Sequence, residues 1–222
     1  MDTVALKLLQ NCVMLASVSK IWVNDEMKSM PILAPPRYCL DLVESEEQLK
    51  ELHKLDAAAY GSTALDFERF KQWWYAYDLG LRVVLQGDRI VGAIGVWALN
   101  EESIRRFISG QFKESQLTPM RHEQLEEGSR FWYVSGILIE PELRLKMNSP
   151  LKLLLDAGIG GIFTSGKVRY PTHVYALGYT SEGMGLLEKL HFQAIKSGEE
   201  MADNCPLYWK QLTCKEDLWS GR

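Results

Sequence analysis

The chain has 222 residues, 46% of them apolar and 24% charged, which is the composition of one globular domain or two small ones. Lys and Arg number 25 against 29 Asp and Glu, a net charge of −4, so the basic faces of a general nucleic-acid binder are not expected. Cys12, Cys39, Cys205 and Cys214 form no CxxC pair and the four His residues form no HExxH. Neither a disulfide scaffold nor a metal site is therefore expected, and the thiols read as reduced, in a cytoplasmic protein.

Residues 4–23 are the most apolar stretch, interrupted by Lys7, Gln10, Asn11 and Lys20, and Asp2 follows Met1. The spacing predicts an amphipathic helix rather than a membrane span or a secretory signal. That helix is expected to pack on the domain or, in a homodimer, on a second subunit. Pro31, Pro35 and Pro36 make residues 24–36 a linker, which leaves 37–222 as a single domain.

Residues 37–43 have a strand composition. Ser45 offers an N-cap, with Glu46 and Glu47 in the first turn. A helical stripe then runs through Leu49, Leu52, Leu55, Ala59 and Tyr60 and stops at Gly61. A second helix is expected over 65–77, with Phe67, Phe70, Trp74 and Tyr77 on the buried side. Residues 81–86 and 89–99 flank Gly87-Asp88 as a hairpin.

Residues 100–130 are polar, with one helix expected at 103–108 and another opened by Thr118-Pro119. The segment is long for a connection and reads as a lid. Its acids Glu123, Glu126 and Glu127 either attract a cationic amine or form a solvated helical face. Residues 131–139 (FWYVSGILI) are a strand, and Ser149-Pro150 opens a helix over 151–163. A strand at 173–177, a helix capped by Thr180 or Ser181 and reaching Leu190, and strands at 192–196 and 207–212 complete the chain. The order β-α-α-β-β-insert-β-α-β-α-β-β gives an α/β fold around a mixed sheet.

Over residues 37–212 this order and three strings resemble the GNAT superfamily of acyl-CoA-dependent N-acyltransferases. RIVGAIGV (89–96) resembles its third strand, ILIEPELR (137–144) its fourth strand and exit, and GMGLLEKLHF (183–192) its late helix. The resemblance implies a mixed, mostly antiparallel central sheet flanked by helices on both faces. It implies acetyl-CoA as co-substrate and a small-molecule or peptide amine as acceptor. Ile137, Leu138 and Ile139 would then polarise the thioester. Arg144, Leu145, Lys146, Met147, Asn148 and Ser149 would hold the CoA pyrophosphate at a helix N-terminus, where free N–H groups and the dipole favour anions. Met147 and Ser149 stand where the family has glycines, and Pro150 has no N–H to give. The alternative reading is a plain strand-to-helix turn with Ser149 as N-cap.

Leu187 stands where many members place the Tyr that protonates the leaving thiolate. Thr180 replaces the usual Asn, and His191 the usual Gly. Tyr179, near the expected sulfur, is the substitute acid; its other reading is a packed phenol. Glu140, at the strand's end, is the candidate base that takes the amine proton, or else a solvated turn acid. With no Cys in the cofactor strings, transfer is expected to be direct. Arg144 and the intact strand at 131–139 favour an N-acetyltransferase, whereas Met147, Pro150 and Leu187 favour a binding or structural protein on the same fold.

Overall fold

The computed structural model describes residues 38–144 and 149–219. The expected N-terminal helix and its linker, and also Leu145, Lys146, Met147 and Asn148, lie outside the described residues. In chain order the elements are β1 (Tyr38–Leu42), α1 (Glu46–Tyr60), α2 (Phe67–Ala76), β2 (Leu81–Gln86), β3 (Arg89–Leu99), α3 (Glu101–Ile108) and β4 (Ser129–Ile139). After them come α4 (151–163), β5 (Val168–Leu177), α5 (Ser181–Lys189), β6 (Gln193–Lys196) and β7 (Leu207–Leu212). The middle of α4, Leu154–Ile159, is π-helical.

The strands form one sheet in the order β1-β2-β3-β4-β5-β7-β6. Every neighbouring pair is antiparallel except β4 and β5, which run parallel. The sheet is thus mixed and mostly antiparallel, as the sequence predicts. Helix starts follow the capping residues: Ser45 Oγ accepts the Gln48 N–H at 3.2 Å, and Asp66, Asn100 and Thr180 act alike on α2, α3 and α5.

Consecutive residues of β4 face opposite sides of the sheet. Tyr133 meets Trp73 of α2 and Phe107 of α3, with ring centroids 6.4 and 5.5 Å apart. Trp132, the preceding residue, meets Phe163 of α4 at 5.8 Å. Helices therefore cover both faces, and each large side chain so buried contributes about 1.5–3 kcal/mol. On α2 the buried stripe is Phe70, Trp73 and Tyr77. Trp74, expected in the core, is half-buried instead and donates its indole N–H to Val43 O at 3.2 Å.

Beyond α3 the polar segment departs from expectation. Thr118-Pro119 opens no helix, because Pro119 bridges to Leu99 and the Met120 N–H bonds Ala98 O at 2.8 Å. Only the 3-10 turns Glu114–Gln116 and His122–Leu125 form there. Leu117 and Leu125 are wholly buried, so the segment is a packed insert held against β3 rather than a hinged lid. No helix among the described residues is long and apolar enough to cross a membrane.

Candidate active site

β4 and β5 pair from Phe131↔His173 to Val134↔Ala176 and no further. β5 then ends at Leu177 and the chain turns into α5, while β4 continues alongside β3 to Ile139. Residues 135–139 therefore have a strand partner on one side only. The divergence coincides with a bulge: Gly95 faces Gly136 and Val96 faces Val134, which leaves Ser135 as the extra residue. A Cβ on Gly95 would collide with Ser135 Oγ and Trp97 Nε1. Without it, the Trp97 indole N–H donates to Ser135 Oγ at 2.8 Å.

Past the bulge, the Glu140 N–H bonds Val91 O on β3. By the two-residue alternation of a strand, the N–H and C=O groups of Ile137 and Ile139 point the other way, to the open side. Both carbonyls accept from side chains there. Tyr60 Oη donates to Ile137 O at 3.4 Å, and Arg144 Nε donates to Ile139 O at 2.9 Å.

The opening adjoins a small cleft, partly open to solvent. It is lined by Asp56 and Tyr60 from α1, Phe70 from α2, Glu114 from the insert, Ser135 from β4 and Tyr179 from the β5–α5 turn. Glu114 is only 5% exposed. Tyr133 Oη donates to its Oε1 at 2.8 Å and Tyr179 Oη to its Oε2 at 2.6 Å. Its own N–H donates to Asp203 Oδ2 at 2.8 Å, which fixes the turn that carries it.

Burial pushes the Glu114 carboxyl up to about 7; the hydrogen bonds from Tyr179 and Tyr133 oppose this, and the nearby Asp203 and Asp56 add to it. Burial likewise raises Asp56 to about 6, against the pull of His53. Tyr60 is pushed up to about 12, mainly by burial. Burial, and then the charge of Glu114, pushes the Tyr179 phenol far above its ordinary range. The Tyr60 and Tyr179 rings lie 5.9 Å apart. The cleft thus joins an unpaired strand edge, two phenols and two carboxyls that titrate near neutrality, the material of general acid–base chemistry.

Among the residues singled out from sequence, Tyr179 lines this cleft; Ile137 and Ile139 lie on the unpaired edge of β4 outside its lining, and Ile137 O meets the cleft residue Tyr60. Leu138 pairs with Ala93 of β3. Glu140 lies outside the cleft lining, at the far end of β4, and its carboxylate is ion-paired with Arg89 at 2.8 Å. Arg144 is exposed and spans back to the strand. Ser149 Oγ accepts the Leu151 N–H at 3.3 Å, a capping contact at the start of α4. Glu123, Glu126 and Glu127 are exposed. The buried acid of the insert is Glu114, which sequence reasoning missed. It sits between Lys113 and Ser115 in a polar run, and no local periodicity marks it.

No family model and no curated protein sequence matches the chain. Solved structures do. The loading GNATL domain of CurA from Lyngbya majuscula is 16% identical, with a TM-score of 0.55 over 79% of this chain and 98% of that one. FeeM, an N-acyl amino acid synthase from uncultured soil microbes, is 12% identical, with a TM-score of 0.56 over 82% and 93%. The GphF GNAT-like decarboxylase in complex with isobutyryl-CoA is 14% identical, with a TM-score of 0.53 over 79% and 98%. The chain has the GNAT fold. One neighbour is a synthase and another a decarboxylase, so the GNAT fold by itself does not assign the reaction. On the GNAT frame, Leu187 is buried in the core and does not line the cleft. His191, in place of the usual Gly, has a left-handed φ of 60° as it ends α5.

Proposed function

We propose that this chain is an N-acyltransferase that moves an acetyl group directly from acetyl-CoA to a primary amine of a small molecule or peptide. The observation that carries the reading is the open edge of β4 beside the Tyr179–Glu114 contact. The free edge at Ile137 and Ile139 suits an extended acyl-CoA arm and supplies N–H groups that can polarise a thioester oxygen. When bound, CoA supplies the activated acyl group. Arg144 and Ser149 flank the segment that would hold its phosphates, next to the start of α4. The isobutyryl-CoA bound by the GphF decarboxylase supports a CoA-type co-substrate on this fold.

In this reading Tyr179, which lines the cleft, protonates the departing thiolate once Glu114 can return a proton to it. Cys205 is a poor nucleophile, because burial and the nearby Asp203 and Glu114 raise its thiol above the usual range. That favours direct attack, for which proximity alone can supply roughly 7–11 kcal/mol. The first test is a melting curve with acetyl-CoA. Ligand at about 100 times its dissociation constant stabilises by about 2.7 kcal/mol, which raises the midpoint of a domain this size by about 5–10 °C. The second is CoA release in the presence of a panel of primary amines. No shift at millimolar acetyl-CoA overturns the reading, and an acetylated cysteine with parallel reciprocal plots overturns direct transfer. A second reading is a binding protein on the same fold. It is favoured by Pro150, which lacks an N–H, and by Ser149, which occupies that of Leu151. A melting shift with no acylation of any amine would establish it.

A further inference from the structure

The contact between Glu114 and two phenols is asymmetric in a way that bears on the proton traffic of the proposed transfer. Tyr133 is fully buried, and its hydroxyl ends on Oε1; Tyr179 is half-buried, lines the cleft and ends on Oε2. Each carboxylate oxygen thus already accepts a phenol, and of the two phenols only Tyr179 shares the cleft lining with Glu114. A phenol oxygen that gives its hydrogen to a carboxylate still has lone pairs to accept with. Tyr179 therefore offers an acceptor, not a donor, to whatever enters the cleft.

We propose that Tyr179 and Glu114 form a two-way proton relay. The inference rests on the acyltransferase reading above. The amine lone pair attacks the thioester carbon, the N–C bond forms, and the carbonyl π pair moves to oxygen. The nitrogen's proton passes to Tyr179 Oη as the phenol proton passes to Glu114 Oε2. The intermediate then collapses, the C–S bond breaks and its electron pair leaves on sulfur. The thiolate takes a proton from Tyr179, which recovers one from Glu114. Amine and acyl-CoA become amide and CoA thiol with no net proton change. Tyr179 is the catalytic residue; Glu114 acts through it, as a positioning residue that stores the proton.

The surroundings suit this storage. The charged groups facing Glu114 among the described residues are Asp203, whose carboxylate takes the Glu114 N–H, and Asp56 across the cleft. Lys113 acts on Asp203. Two acids and burial hold the Glu114 carboxyl near the middle of its titration at neutral pH, where it can both take and return a proton.

The test combines kinetics and NMR on the full chain, with acetyl-CoA and the amine panel as probes. Rates are followed from about pH 5 to 9, and the Glu114 carboxyl is titrated by ¹³C shift. In the wild type, kcat/KM calculated on the free-amine concentration is expected to fall tenfold per pH unit below about 7. Glu114→Gln should remove that limb and lower kcat by roughly 10²–10⁴-fold. Tyr179→Phe should lower kcat comparably and move the Glu114 midpoint upward, since a donor to the carboxylate is lost. Glu114→Asp should restore part of the limb, which a packing role would not do. A limb that survives in Glu114→Gln, or a Glu114 midpoint unmoved by Tyr179→Phe, overturns the relay while acetyl-CoA binding stands. If calorimetry detects no acetyl-CoA binding, the acyltransferase reading fails and the relay with it.

Discussion

Glu114→Gln separates the stability of the fold from the chemistry of the cleft. In the folded chain the Glu114 carboxyl is raised from 4.5 to about 7, chiefly by burial. The folded state then binds that proton more tightly than the unfolded state, so the associated stability is complete below about pH 4.5 and is lost as pH rises through about 7. The difference of about 2.5 pH units, at about 1.4 kcal/mol each, is about 3–4 kcal/mol in full, of which about 3 kcal/mol falls between pH 4.5 and 8. Wild type should therefore lose about 3 kcal/mol between pH 4.5 and 8 from this one group, and the Gln variant should not. Urea unfolding at pH steps across that window reads both curves. Asp56, raised to about 6, slopes the same way in both proteins and largely cancels in the difference. The expected result is a Gln variant that gains on wild type as pH rises. Curves that stay parallel from pH 5 to 8 would refute the claim that Glu114 is desolvated and titrates near neutrality.

Other substitutions probe the frame. His191→Gly should stabilise the chain by roughly 1 kcal/mol, because His191 ends α5 with φ 60°, a conformation that costs a residue with a Cβ; an unchanged urea midpoint would mean the imidazole makes a compensating contact. Gly110→Ala should cost roughly 2–5 kcal/mol, since Gly110 has φ +81° and an added Cβ would strike the Glu200 carbonyl. A loss under 1 kcal/mol would show that the insert can shift. Leu187→Tyr supplies the phenol that the GNAT resemblance implies at this position. Because Leu187 is buried away from the cleft, the change should cost roughly 1–3 kcal/mol by overpacking and leave turnover no faster.

Much of the frame was legible because it is written locally. Ser45 and Thr180 announce their helices through one side chain each, and the hairpin at Gly87-Asp88 follows from strand alternation around a turn. Tyr179 could be picked out only through the resemblance, which sets it near the expected sulfur. The cleft itself was not legible, because its partners meet over long separations. Tyr179 reaches Glu114 across 65 positions, and Glu114 reaches Asp203 across 89. A buried glutamate in a polar run looks like a solvated one until the far strands close over it. Thr118-Pro119 misled for the same reason: it carries a helix-start signal, but pairing with β3 decides its conformation. On α2 the spacing gave the helix, but it chose Trp74 over Trp73 because adjacent aromatics are equivalent until a core fixes their rotation.

The single parallel pair in the sheet also bears on how the molecule comes into being. Antiparallel neighbours such as β2 and β3 can zip from a short turn, but β4 and β5 can meet only after the whole crossover through α4 has been made and folded back. Loop closure of that kind is slow. On a ribosome, the meander from β1 to β4 has all its strands before Tyr179 has been synthesised, and Asp203 comes later still. A nascent chain at that length has the strands β1 to β4 but neither Tyr179 nor Asp203, two of the groups that contact Glu114 in the finished cleft. The raised titration of Glu114 is thus a property of the finished fold, since it comes chiefly from burial and from acids as distant in the chain as Asp203.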